Sequence, residues 1–408
     1  MMDTAKRLRV AELLSEAAEL EHGLMCQYLF AAFSMKRGPS EGVTWPQLEQ
    51  MRQWEASVMV VARQEMEHLG LVNNILTAIG EAPYFQRPNF PLGPRHYEIH
   101  IPFKLERLSL DAVRRFVEFE MPRALDADEK KRLDRIGVKP GRFETIGQLY
   151  DEIRSLLIEL DSPELWIGPP SAQFQTTDVI PVPIRGISLP PTAPIYDIQL
   201  EAVTNLDSAK SVIAQILEEG EGSPTSTPTS HFSRFLTIAE GLLDAKFDAA
   251  RDVLENPRGN VTNQDTLAVS ELFDLAYGTT LLMLMRFFAH ADETPAQVAA
   301  LQATAFFPLM TTALRPLGEI LTLLPATDNK NSPTAGPAFD FTRSLALLPH
   351  SDAAWRVMLM QLEQLSAGAQ ALSQKPAYPK PVQARLALVY ENAGRMAINF
   401  GGAMGIPA

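Results

Sequence analysis

The chain has 408 residues, 46% hydrophobic and 21% charged, which suits a globular protein of two domains or one large helical assembly. Its net charge of −13, with no Lys/Arg cluster, argues against nucleic acid or an anionic membrane as partner. The single cysteine, Cys26, permits no intramolecular disulfide, and no signal-peptide core follows residues 1–11, so the expected location is the cytoplasm.

The first helix is expected over Thr4–Lys36, where Gly38-Pro39-Ser40 breaks it. Val10, Leu13, Leu14, Ala17, Leu20, Leu24 and Tyr28 form one apolar face, and Glu21 falls within it. Glu12, Glu16 and Glu19 fall outside that face. Glu19 and His22 also spell Glu-x-x-His, but both rotate off the stripe and read as a surface pair. The second helix is expected over Thr44–Ile79, ending at Gly80 with Pro83 beyond. Its stripe is Val58, Val61, Ala62, Leu69, Val72, Leu76 and Ile79. At about 100° per residue, Glu65 lies near the stripe's centre, His68 near its edge, and Glu67 on the opposite side. A carboxylate aimed into a bundle core is costly unless its charge is compensated, and a metal ion is the simplest compensation.

Residues 83–107 are proline-rich, and 95–101 alternate polar and apolar residues as a strand would, with 196–200 as a possible partner. His96 and His100 on that segment read as exposed residues. A third helix starts after Ser109, the N-cap, and stops at Pro122, with Glu120 on its stripe of Val113, Phe116 and Val117. Ile146–Leu160 is amphipathic, with Glu144, Gln148 and Glu152 off its stripe. A second proline-rich stretch covers 162–195. Helix resumes over Asn205–Glu219 and, after the Gly/Ser/Thr/Pro-rich run that includes Glu221, at His231 behind its N-cap Ser230. From 263 onward the pattern is helical, over 267–289, 295–324 and 352–372, and the most apolar window, Tyr277–Phe288, is too short to cross a bilayer.

A carboxylate site in a four-helix bundle takes a Glu from each of two helices and a Glu-x-x-His from each of two others. Glu21 and Glu65/His68 supply the first half. Glu120, Glu221 and His231 supply an irregular second half, because a nine-residue loop separates Glu221 from His231. Tyr28 and Tyr150 read as core aromatics.

Several stretches resemble the ferritin-like domain of bacterial iminophenyl-pyruvate dimer synthases of the violacein and rebeccamycin pathways. They are Glu19–Leu29, Glu65–Leu69, Ile79–Pro83, Phe119–Pro122, Ile146–Tyr150, Glu219–Gly222 and Ser230–Phe232. The resemblance spans about residues 10–245 and continues more loosely to the C-terminus. It implies a mainly α fold: a ferritin-like four-helix bundle over 1–250 with inserts at 83–107 and 162–195, a small β element, and a helical region over 260–408 packed on the bundle. It implies Glu21, Glu65, His68, Glu120, Glu221 and His231 as metal ligands. Relatives often carry a glutamate where this chain has Gln148, so Glu144 or Glu152 is an alternative. The expected cofactor is iron, as a di-iron centre, with manganese the alternative. The expected role is an oxidoreductase acting on a small organic molecule with O₂ or peroxide in secondary metabolism, as a monomer or small homo-oligomer. The alternative is a metal-binding protein without turnover, serving storage, detoxification or as a scaffold.

Overall fold

The computed structural model describes residues 3–94, 96–97, 100–139, 146–178, 198–222, 227–289, 292–341 and 345–406. Its helices are where the capping signals put them. Asp3 accepts hydrogen bonds from the Ala5 and Lys6 amides to open α1 (Thr4–Ser34). Thr44 and Gln47 form a capping box at the head of α2 (Trp45–Ala78), and Gly80, at φ 78°, takes the left-handed turn that ends it. The Glu81 amide then returns to the Leu76 carbonyl. Ser109 caps α3 (Leu110–Phe119), and an Asp126/Glu129 box opens α4 (Ala127–Ile136), a short helix the sequence reading passed over. α5 is Ile146–Leu160, α6 is Leu206–Gly220 behind an Asn205/Ser208 box, and α7 is His231–Asp244 behind Ser230.

These seven helices form one compact unit with residues 1–81, 87–170 and 202–256. α1 and α2 make a long antiparallel hairpin. The facing layer comes in two halves, α3 packed with α7 and α5 packed with α6, while α5 also leans on α1 and both α6 and α7 lean on α2. Every residue of α1 from Leu20 to Ser34 is buried, so this half of the helix is a core element on all sides.

The second unit holds α8 (Gln264–Phe288), α9 (Pro295–Leu301), α10 (Arg315–Leu321), α11 (Ser351–Ser373) and α12 (Lys380–Ala403). Here α11 and α12 form a hairpin, and α8 packs on α11 and α10. Residues 82–86 and 171–201 group with this unit, through Phe85 on Phe288 and Phe174 on Phe306. The single helix expected over 295–324 is instead two short helices joined through two wide π-type turns, 302–306 and 310–314. The apolar helix is longer than its most apolar window suggests. α8 has 25 residues and contains an 18-residue window with a mean hydropathy of 1.4, but 67% of that 18-residue window is buried inside the protein.

The small β element is not found among the described residues, which hold isolated bridges only, Met35 with Ala250, Leu92 with Phe103 and Pro325 with Thr334. His96 and Tyr97 lie in bends, and His100 has φ 56°, which no pleated strand accommodates. The alternation that suggested a strand is a proline-bounded loop closed by paired hydrogen bonds between Leu92 and Phe103. Arg95, Glu98, Ile99, Tyr196 and Asp197 lie outside the described residues.

The Gly168 amide donates to the Ala78 carbonyl at 2.9 Å, and a Cβ on Gly168 would lie 1.6 Å from the Thr77 carbonyl oxygen. Gly168→Ala should therefore lower stability by about 2–3 kcal/mol or more in urea unfolding. Gly278→Ala, in an open helical position of α8, should raise it by about 0.5–1 kcal/mol.

Candidate metal centre

Glu65, in the middle of α2, is the hub. It is 1% exposed, and neither carboxylate oxygen has a hydrogen-bond donor in bonding geometry. Two groups of three side chains share it, Glu21 with Glu65 and His68, and Glu65 with Glu120 and His231. All five residues are buried, and within each group the ligand-capable atoms lie within 4.8 Å of one another. His68 Nδ1 is 3.5 Å from Glu21 Oε2 and 3.6 Å from Glu65 Oε2. His231 Nδ1 is 3.0 Å from Glu65 Oε1 and 3.5 Å from Glu120 Oε2. The two imidazoles lie almost parallel with centroids 5.4 Å apart.

Local structure explains each position. Glu65 and His68, at i and i+3 on α2, rise from adjacent turns of one face. Glu21 faces them from α1, the other arm of the hairpin. Glu120 is the C-cap of α3, and His231 is the first residue of α7. Two tyrosines brace the outer carboxylates. Tyr150 donates to Glu21 Oε1 and Tyr28 to Glu120 Oε1, each at 2.5 Å. Tyr28 is itself wedged between Phe116 and Phe235, with centroids 4.7 Å from both.

The residue set fits a pair of hard-to-borderline divalent cations. Carboxylates and imidazoles are the donors that iron and manganese accept. Orphaned oxygens on a fully buried glutamate are what a bound cation would satisfy. Beside the cluster is a cavity of ≈ 20 Å³, bordered by Glu21, Glu65, His68, Glu120, Gly147, Gly220 and Glu221. That is room for about one water molecule. None of the described residues of the proline-rich segments 83–107 and 162–195 lines this cavity.

Of the sequence candidates, Glu21, Glu65, His68, Glu120 and His231 are brought together. Glu221 borders the same cavity, but its Oε1 accepts the Gly147 amide at 2.9 Å, and it belongs to neither group of three. Gly147 must be glycine for this, since a Cβ would lie 2.4 Å from that oxygen. Gln148 is exposed on α5, Glu152 pairs with Arg9 at the surface, and Glu144 lies outside the described residues. Glu19 and His22 are in neither group, as expected. They are not a surface pair, however: His22 is fully buried and Glu19 accepts from Tyr97. The sequence reading missed Glu219, whose Oε2 lies 3.1 Å from His68 Nε2. It also treated Tyr28 and Tyr150 as packing residues.

The ferritin-like family model matches residues 14–240. Dichlorochromopyrrolate synthase of Lentzea aerocolonigenes is 26% identical across 91% of this chain and 39% of its own length. The 2-imino-3-(indol-3-yl)propanoate dimerase of Chromobacterium violaceum is 28% identical across 81% of this chain and 34% of its length. The chain thus spans only about a third to two fifths of these curated relatives. A crystal structure of a ferritin-like protein from Caulobacter vibrioides superposes with a TM-score of 0.50 at 18% identity, covering 76% of this chain and 93% of that one.

Three of the five clustered side chains, Glu21, His68 and His231, hold a proton more tightly than usual. Burial, then the charge of Glu65, raises the Glu21 carboxyl to about 7. Burial alone would lower His231, but Glu65 and Glu120 outweigh it and push the imidazole up to about 9. Burial opposes His68 too, and its hydrogen bonds to Glu21 and Glu219 carry it well above the usual histidine range. Ligand protons must leave before a cation binds. Apparent Mn(II) or Co(II) affinity should therefore rise between about pH 6 and about pH 9, by about tenfold per unit for each linked proton, and titration calorimetry in buffers of different ionisation enthalpy would count those protons.

Proposed function

The family match covers more than half of the chain, so the chain belongs to the ferritin-like family, and from this premise we propose that it is a non-haem di-iron oxidoreductase. The observation that carries the proposal is the pair of buried carboxylate–histidine groups sharing Glu65. Glu21, Glu65 and His68 would hold one ion, and Glu65, Glu120 and His231 the other, with manganese as the alternative metal. Bound there, the ions would supply electrons and open coordination positions to dioxygen or peroxide.

The chain's own residues set the conditions. Tyr150 and Tyr28 fix the outer carboxylates, so that these cannot swing freely around a cation. Apolar α1, α3 and α7 exclude water and strengthen every electrostatic contact inside. The small cavity admits a molecule of water's size beside Glu65 and no organic ring. The organic reductant would therefore approach from the side where Gly147 and Gly220 replace side chains with backbone, next to Glu221. Both curated relatives are named as enzymes that build or couple small organic molecules, which supports a small-molecule substrate in secondary metabolism. An aromatic α-imino acid is the first compound to test. A cytoplasmic setting suits the single buried Cys26.

Protein purified without chelator should carry about two iron or manganese ions per chain and consume oxygen when given substrate. His231→Ala should lower that metal content with helicity nearly unchanged. A hollow assembly that loads many irons per chain without substrate turnover would instead support storage.

A further inference from the structure

The two imidazoles are supported unequally. His68 presents Nδ1 to Glu21 and Glu65 and is gripped from behind, its Nε2 3.1 Å from Glu219 Oε2. Glu219 is held in turn: its Oε1 accepts from Gln215 at 3.3 Å, and the same amide donates to the buried Glu67 at 2.5 Å. α6 thus reaches across to α2 through Glu219 and Gln215, and Glu219 fixes the His68 ring. His231 presents Nδ1 to Glu65 and Glu120, but its Nε2 is fully buried with no hydrogen-bond partner among the described residues.

We infer that the two metal positions are unequal, the Glu21–Glu65–His68 position binding tightly and filling first, with Glu219 as the positioning residue for His68. The inference rests on the dinuclear reading above. Three effects favour that position. The Nε2–H···Glu219 hydrogen bond selects the tautomer that leaves the Nδ1 lone pair free for a cation. It also fixes the ring before binding, so little side-chain entropy remains to be lost. Finally, it places a further carboxylate charge behind the ligand, which makes the imidazole a better donor. His231 has none of these, so its position fills second and exchanges faster. The outer carboxylates do not offset the difference, because each is braced alike by one tyrosine hydroxyl.

Unequal binding steps alone would not establish this, since repulsion between two cations also weakens the second. The test is therefore which step each variant moves. Co(II) titrated into the metal-free full chain by calorimetry should give two steps in the wild type. Glu219→Ala should weaken the tight step about 10- to 100-fold and bring the two together. Glu219→Gln, which keeps a hydrogen-bond acceptor but not the charge, should fall between and carries the test if the alanine variant does not fold. His231→Gln should remove the weak step and leave the tight one. Two equal steps in the wild type, equal weakening of both steps by the Glu219 variants, or loss of the tight step in His231→Gln would each overturn the proposal while leaving a dinuclear centre intact. Absence of any Co(II) binding would overturn the dinuclear reading and this inference with it.

Discussion

The protein's architecture is organised around one electrostatic problem, a carboxylate in the core of a helix bundle. Glu65 is buried with both oxygens away from water, where an uncompensated charge would cost several kcal/mol. Around it the chain assembles two more glutamates, two histidines and two tyrosine hydroxyls, drawn from five helices or their ends. The imidazoles compensate part of the charge directly, and the tyrosines satisfy one oxygen of each outer carboxylate. What the chain leaves unsatisfied are the oxygens of Glu65 itself, the one carboxylate common to both groups. A bundle built only for stability would place an aliphatic side chain there.

How far the sequence could be read depended on where each residue lies along its helix. Glu21, Glu65 and His68 are inside long helices, where the 3.6-residue period converts sequence position into direction with little error. Glu120 and His231 are at helix ends, and they were legible because Ser230 and the Phe119-Glu120-Met121-Pro122 stretch mark those ends chemically. His22 was misread because the stripe argument assumes a solvent side, and α1 has none from Leu20 onward. Glu219 and Glu67 escaped for a related reason. Glu67 lies off the stripe of its own helix and Glu219 only at the edge of its own, and what engages each is a neighbouring helix that no single-helix pattern can report. The alternation at 95–101 has the period of a strand without, among the described residues, the pairing that makes one, since period and pairing are separate requirements.

The curated relatives match this chain over roughly a third to two fifths of their length, and their names describe enzymes. The family-model match, residues 14–240, contains every residue of the two carboxylate–histidine groups, all of them within the first compact unit. The chemistry that family membership suggests therefore depends on residues of one unit that can be tested one at a time.

The centre lies at the ends of four helices, the tails of α3 and α6 and the heads of α5 and α7. In an unbroken helix the distance between a glutamate and a histidine is tied to the 1.5 Å rise per residue, so one inserted residue would rotate every later side chain by about 100°. The loop between Glu221 and His231 removes that tie. Residues can be gained or lost there without re-registering either helix, and the same holds for the connection from Glu120 to Gly147. The residues that flank those two connections, Glu120, Gly147 and Glu221, border the small cavity. Variation in their length would reshape the rim that meets an incoming molecule while the cation-facing side chains stay where they are. A single bundle can in this way serve many substrates over evolutionary time, with the innovation confined to two loops.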